Sequence, residues 1–278
     1  MEVWKLNFHS YVYTEVMEIF FVFLSGLIIG SFLNSVIYRL EVGGSIARER
    51  SRCPKCGHIL AWYELVPLFS FAVQRGQCRT CGERVSWQYP MVELAAGLLF
   101  ALAYRQSPGF ILPSANFQFS IYNLQFLYLF FILASLLVIF VFDLKHYIIP
   151  NKVLYPLIGV ALSHIFLAAP IFLPAHPFLS ALSSAGFFLS IFILSRGEWI
   201  GFGDVKFGVF MGLFLGFPNF LVALFFSYVL GALIGGVLLL YQRKTFKSQI
   251  PFGPFLIAGT LIAYFYGNEI MQWYLNIF

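Results

Sequence analysis

The sequence predicts an all-α, polytopic membrane protein of about eight transmembrane helices, with one cytoplasmic cysteine-bearing loop between helices 1 and 2. Three observations carry this. The composition is too apolar for a water-soluble fold. Apolar runs of membrane-crossing length recur along the chain, with lysine and arginine gathered on alternate connections. The only long polar segment holds two tight cysteine pairs.

Of 278 residues, 60% are hydrophobic, 20% aromatic and 10% charged, and the mean hydropathy is +0.84. A soluble domain carries about 25% charged residues. A chain of this length could not hide so much apolar surface from water, so the bilayer must be part of its solvent. The net charge of +5 raises the question of nucleic acid, but the positions of the charges exclude it as an explanation.

The expected spans are 17–38, 89–105, 124–142, 150–172, 178–195, 204–217, 219–241 and 252–274. Each is long enough, or nearly so, to cross ~30 Å of hydrocarbon at ~1.5 Å per residue; the sixth is the shortest. With the N-terminus outside, fifteen of seventeen lysines and arginines fall inside, leaving only Lys5 and Arg105 outside. The positive-inside rule then places both termini outside. Basic residues 243, 244 and 247 read as an anchor of the same kind, with anionic lipid as a contact. Glu15 and Glu18 stand at the start of the first span where a cleavable signal would be basic, and no small-residue cleavage site follows. The chain divides into residues 1–40 (external N-terminus and first helix), 41–88 (the cytoplasmic loop) and 89–278 (a seven-helix membrane core).

The loop holds Cys53-Pro-Lys-Cys56-Gly57 and Cys78-Arg-Thr-Cys81-Gly82. A tight turn in each C-x-x-C brings two thiolates to one ion, and four thiolates complete a zinc tetrahedron. Gly57 and Gly82 stand where such turns need positive φ. Zinc so held is structural, because four thiolates leave no open coordination position, and it would supply the folding energy that a small loop lacks. The alternative is two redox dithiols or disulfides, which a reducing cytoplasmic face disfavours.

Against ten glutamates the chain has two aspartates. Asp143 closes the third span and Asp204 opens the sixth, both at the cytoplasmic boundary. A carboxylate near bilayer depth costs ~2.5–3.5 kcal/mol on insertion scales and marks a functional hypothesis. Asp204, Gly208, Gly212 and Gly216 repeat at i+4, so a neighbouring helix can approach closely along that stripe. If the third span is that neighbour, Asp143 arrives beside Asp204, and the pair shares a proton as a catalytic dyad does. The alternative is that each aspartate caps a helix, Asp204 at an N-cap, or pairs with Lys145 or Lys206.

Several segments together resemble the type IV prepilin peptidase family, the leader peptidases of pilins and type II secretion pseudopilins. They are Gly30-Ser-Phe-Leu-Asn-Ser-Val-Ile-Tyr-Arg-Leu40, Ser51-Arg-Cys-Pro-Lys-Cys56, Trp62-Tyr-Glu-Leu-Val-Pro67, Arg75–Gly82, Tyr89-Pro-Met-Val-Glu93, Asp143 with Ile149-Pro-Asn151, Gly201-Phe-Gly-Asp204-Val-Lys206 and Ile250-Pro-Phe-Gly-Pro254. Ile200 departs from the methionine common before the family's GxGD. The resemblance implies a bacterial inner-membrane enzyme with Asp143 and Asp204 as catalytic pair, cleaving a basic leader from prepilins or pseudopilins at the cytoplasmic face, after glycine and usually before phenylalanine. It also implies N-methylation of the new N-terminus with S-adenosylmethionine, although no methyl-donor fingerprint stands in the chain.

Other polar residues read more plainly. Glu64 and Glu93 match family positions, and the resemblance offers either as a residue that holds the basic leader or the methylated amine; Glu64 reads more simply as a solvated loop residue, and the alternative for Glu93 is a pair with a loop arginine. Asn34, on the Gly26–Gly30 stripe, is expected to hydrogen-bond between helices. His164 reads as a satisfied buried histidine, and Gly231 and Gly235 as packing positions. Two competing readings are a broader intramembrane protease and a polytopic transporter or assembly scaffold with a structural zinc knuckle, in which the aspartates would bind a cation or proton.

Overall fold

The computed structural model describes residues 2–45, 50–106, 121–168, 175–240 and 250–277. Among these, nine α-helices form: α1 Glu2–Val42, α2 Phe69–Val73, α3 Gln88–Gln106, α4 Ile121–His146, α5 Asn151–Ala168, α6 Ala175–Leu194, α7 Phe202–Leu215, α8 Asn219–Leu240 and α9 Gly253–Leu275. Every expected span coincides with one of them, α2 being an addition. Residues 169–172, at the end of the fourth expected span, and the basic residues 243, 244 and 247 lie outside the described residues.

Among the described residues, four helical stretches are long and apolar enough to cross a membrane: Val16–Val42, Leu124–His146, Ala175–Leu194 and Asn219–Leu240; Asn151–Leu167 is a shorter apolar helix. Their outward faces are apolar as well. Phe20, Ile28 and Phe32 on α1, Leu182 and Ile193 on α6, and Phe225 and Leu233 on α8 are all exposed. Hydrocarbon solvates such a face, where water would not. Helix α7, with 14 residues, reaches only ~21 Å at ~1.5 Å per residue, so the sixth expected span is short of a full crossing.

The chain forms two compact units, Met1–Val138 and Ile139–Phe278. In the first, α1 and α3 pack antiparallel in one continuous register. A Cβ at Gly26 would stand 2.7 Å from Gly97 Cα, and one at Gly30 would stand 2.6 Å from Glu93 Cα. One turn further, Asn34 Nδ2 donates to the Tyr89 carbonyl at 3.0 Å. At the other end Tyr104 donates its hydroxyl to Glu18. Four residues forward on α1 are thus matched by about four back on α3. The small residues at 26, 30 and 97 allow the two backbones to touch, as the Gly26–Gly30–Asn34 stripe predicts. Phe100 and Phe130 stack at 3.8 Å and bring α4 onto α3.

In the second unit, α6 packs on α7 and α8 packs on α9. The first contact is set by Gly208, whose added Cβ would stand 2.6 Å from Phe188 Cδ2, and by Gly212, where it would collide with the Ala181 backbone. The second contact is set by Gly259, where a Cβ would overlap the Ser227 hydroxyl and the Ala223 carbonyl. Gly231 and Gly235, the positions expected from sequence, make only ordinary contacts at 3.5 and 3.7 Å with Phe255 and Ile250. Gly231 thus sits beside α9 and Gly235 beside the segment before it, and neither is needed for the approach of α9.

Candidate active site and metal centre

The metal centre is built from two knuckles of one design. In the first, the Cys53 N–H donates to the His58 carbonyl at 2.9 Å and the Gly57 N–H to the Cys53 carbonyl at 3.0 Å. In the second, Cys78 N–H meets the Glu83 carbonyl at 2.8 Å, and Gly82 N–H the Cys78 carbonyl at 2.9 Å. Short antiparallel bridges, Arg52 with Ile59 and Gln77 with Arg84, close each turn. Gly57 and Gly82 have φ of +71° and +70°, the left-handed region expected of them.

The turns aim all four sulfurs at one point. The Sγ atoms of Cys53, Cys56, Cys78 and Cys81 lie within 4.8 Å of one another, and Cys53 Sγ is 3.9 Å from Cys81 Sγ. A tetrahedron with metal–sulfur bonds of ~2.3 Å has sulfur–sulfur edges of ~3.8 Å, so the four thiols fit such an ion. Backbone N–H groups of Cys81 and then Thr80 point at the Cys78 sulfur and hold its thiol down at about 6. Lys55 and Glu83 pair across the two knuckles.

Glu64 is not the solvated residue expected. Its side chain is 3% exposed, and its carboxylate accepts the Ala61 N–H at 2.9 Å, with His58 Nε2 at 3.6 Å. It sits in a single 3₁₀ turn, Trp62–Leu65, whose first N–H groups lack partners from the turn itself, so the carboxylate supplies one. Among the described residues, Glu93 forms no ion pair with an arginine. It accepts the Leu68 N–H at 2.8 Å. Leu68 has φ of +58°, which turns its N–H toward α3.

In the second unit, Asp204 occupies the first turn of α7. Gly201 is the N-cap, with φ −80° and ψ 155°, so Asp204 is the third helical residue and not the N-cap of the alternative reading. Glycine has no side chain with which to cap. The Asp204 carboxylate reaches back instead, and Oδ2 accepts the Gly201 N–H at 3.0 Å. One carboxyl oxygen is thereby committed to fixing its own orientation. Lys206 does not neutralise it: its ammonium donates to Asn151 Oδ1 at 3.0 Å and lies over the Tyr155 and Phe202 rings at 5.3 and 5.2 Å. A Cβ at Gly203 would stand 3.2 Å from Ile149 Cβ. The segments Ile149-Pro-Asn151 and Gly201–Lys206, separate in sequence, therefore meet.

The glycine stripe below Asp204 does not receive the third span. Its partner is α6, through Phe188 and Ala181, and Gly216 leaves the stripe by ending the helix at φ +68°. Asp143 is instead held from α9. Gly253, the first residue of that helix, is buried against it; a Cβ there would stand 2.5 Å from Asp143 Oδ2 and 2.9 Å from Cγ. Asp143 Oδ2 is buried with no hydrogen-bond partner among the described residues. Asp143 and Asp204 are both buried, and the charge of Asp143 acts on Asp204, so the carboxyls stand within electrostatic reach of each other.

Two neighbours of the pair escaped the sequence reading. Gly253 lay inside a quoted motif, yet glycine has no chemistry to flag it. Tyr228 on α8 lies within reach of the Asp204 charge, its ring 5.2 Å from Phe252 and 6.0 Å from Phe187. A tyrosine in an apolar helix carries no sequence signal of such a place.

The family model of the bacterial Peptidase A24 N-terminal domain matches residues 24–107, and that of the type IV leader peptidase family matches residues 129–236. A prepilin leader peptidase/N-methyltransferase of Bacillus subtilis (strain 168) is 32% identical over 265 residues, covering 94% of this chain and 99% of the relative. Proteins of the same description from Myxococcus xanthus (strain DK1622) and Aeromonas hydrophila are 39% and 31% identical. The first alignment covers 79% of this chain and 63% of the relative, the second 92% and 93%. No solved structure matches the chain.

Proposed function

Since the chain belongs to the type IV leader peptidase family, we propose that it cleaves the basic leader from type IV prepilins or type II secretion pseudopilins with Asp143 and Asp204, and N-methylates the new N-terminus. The observation that supports the peptidase reading is a pair of buried carboxyls in one unit, Asp143 seated against Gly253 and Asp204 oriented by the Gly201 N–H.

The chemistry follows from that pairing. Two buried carboxyls that feel each other's charge do not both ionise easily, so in this reading the pair carries one proton. The ionised member takes a proton from water as the water attacks the scissile carbonyl. The protonated member gives its proton to the carbonyl oxygen, and collapse of the tetrahedral species returns a proton to the leaving amine. Neither residue is permanently the base, because the titration belongs to the pair. Asp204 is oriented by the Gly201 N–H and Asp143 by its seat against Gly253.

The four cysteines would hold a structural zinc, which on binding fixes the two knuckles and takes no part in hydrolysis. S-adenosylmethionine is the methyl donor in this reading, which is consistent with the N-methyltransferase in the relatives' name. The helices that meet the membrane-length criterion support an inner-membrane protein, and the full arrangement in this reading is eight spans with both termini outside and the aspartates at the cytoplasmic face.

Co-expression of each of Asp143→Asn and Asp204→Asn with a prepilin tests the peptidase reading. Both variants insert normally, and leader removal drops by at least ~10²–10⁴-fold, the worth of a positioned general acid or base. Full cleavage by both variants would falsify the dyad. The product mass from purified enzyme, with and without S-adenosylmethionine, reports the methyl transfer separately.

A further inference from the structure

The segment Trp62–Val73 is almost entirely apolar, with Glu64 its single charge. It lies in the loop that sequence assigns to the cytoplasm. The structure seats it lower. Ser31 Oγ donates to the Leu65 carbonyl at 3.2 Å, and Glu93 accepts the Leu68 N–H at 2.8 Å. Ser31 is inside the apolar stretch Val16–Val42 and stands ~10 Å, at ~1.5 Å per residue, before the expected end of the first span at residue 38. Glu93 is at the same level, because Gly30 touches its Cα. The Leu65–Leu68 backbone therefore runs beside helices α1 and α3, within the expected limits of the first span.

We infer that Trp62–Val73 is a re-entrant segment of the membrane, with Trp62, Tyr63, Leu65, Phe69 and Val73 set in the lipid of the cytoplasmic leaflet. Two independent features support this. The first is the outward surface. Trp62 is 80% exposed, Phe69 66% and Val73 53%, and on α1, to which the segment is tied through Ser31, Ile28 and Phe32 are exposed as well. Aromatic residues of this kind favour the boundary between hydrocarbon and headgroups.

The second feature is the backbone. Irregular backbone at membrane depth is tolerated only where its polar groups are satisfied by protein. Here Glu64 takes the Ala61 N–H, Ser31 serves the Leu65 carbonyl, and Glu93 takes the Leu68 N–H. Pro67 has no N–H to satisfy. Ser70 and Ala72 donate to the carbonyls of Val66 and Leu68 at 3.0 Å each. A loop in water would need no such set, and a buried glutamate in α3 gains a reason to exist. It is the acceptor that lets the chain turn at Leu68.

The partner is lipid, and tryptophan fluorescence of the full protein in phosphatidylethanolamine–phosphatidylglycerol vesicles tests it. The difference between wild type and Trp62→Phe isolates the Trp62 emission. A second probe is Phe69→Trp in the Trp62→Phe background. In the membrane reading both emissions are blue-shifted, lose most of their intensity when the acyl chains are brominated close to the headgroup, and resist aqueous acrylamide. Quenching by acrylamide with no effect of bromolipid overturns the inference, placing the segment in water. Emission that neither agent quenches also overturns it, since another protein surface would then cover the segment. Leader cleavage by the two variants verifies that they remain folded.

Discussion

A single missing methyl group at residue 253 governs the seat of a carboxyl. Gly253 opens α9 directly against Asp143, and no other residue fits there without displacing the carboxyl. In Gly253→Ala the new Cβ, 2.5 Å from Oδ2, forces a shift of some tenths of an ångström to an ångström. Misplacement on that scale costs up to ~10²-fold in rate. The expected outcome is a lower kcat for leader cleavage with KM little changed and zinc content unaltered. A variant as active as wild type would show that the Gly253 contact does not position Asp143. Both aspartates were legible in the sequence, as the only residues of their type and as carboxylates at the ends of apolar runs. Gly253 was not, since its part is played by absent atoms.

At the scale of elements, small residues decide which helices touch. Gly26 and Gly30 meet Gly97 and Glu93, Gly208 and Gly212 meet Phe188 and Ala181, and Gly259 meets Ser227. A stripe in sequence announces close approach without saying by whom. The stripe under Asp204 points equally well to any neighbour, and α6 takes it because Ala181 and Ser180 on that helix are small enough to nest there. Gly212→Val overfills this contact. Its expected cost is ~1–3 kcal/mol, read as a lower unfolding temperature in detergent. Gly231→Ala is the control, since the nearest atom to its Cβ is 3.5 Å away and stability should hardly change. Equal destabilisation by both would argue against the assigned α6–α7 contact.

At the scale of the whole molecule, the cysteine centre and the aspartate pair lie in different compact units, Met1–Val138 and Ile139–Phe278. The knuckles have almost no core of their own, so metal binding supplies their order. Chelation is therefore expected to open residues 53–81 to protease while the helices keep their circular dichroism. Metal analysis of the purified protein should find close to one zinc per chain, and Cys56→Ser should lower it. Zinc content unchanged in that variant would remove Cys56 from the ligand set.

The sequence by itself determined the helical class, the positions of the helices, the four cysteines and the two aspartates. Each of these depends on composition and spacing over a few turns of chain, where hydrophobic runs and short-range geometry leave little choice. Only the tertiary structure decided that α6 fills the Asp204 stripe, that α9 seats Asp143, and that Glu64 and Glu93 satisfy the backbone of a loop lying against α1 and α3. Those outcomes depend on pairings between residues tens of positions apart. Several partners satisfy the same local pattern there, and the choice rests on which surfaces fit.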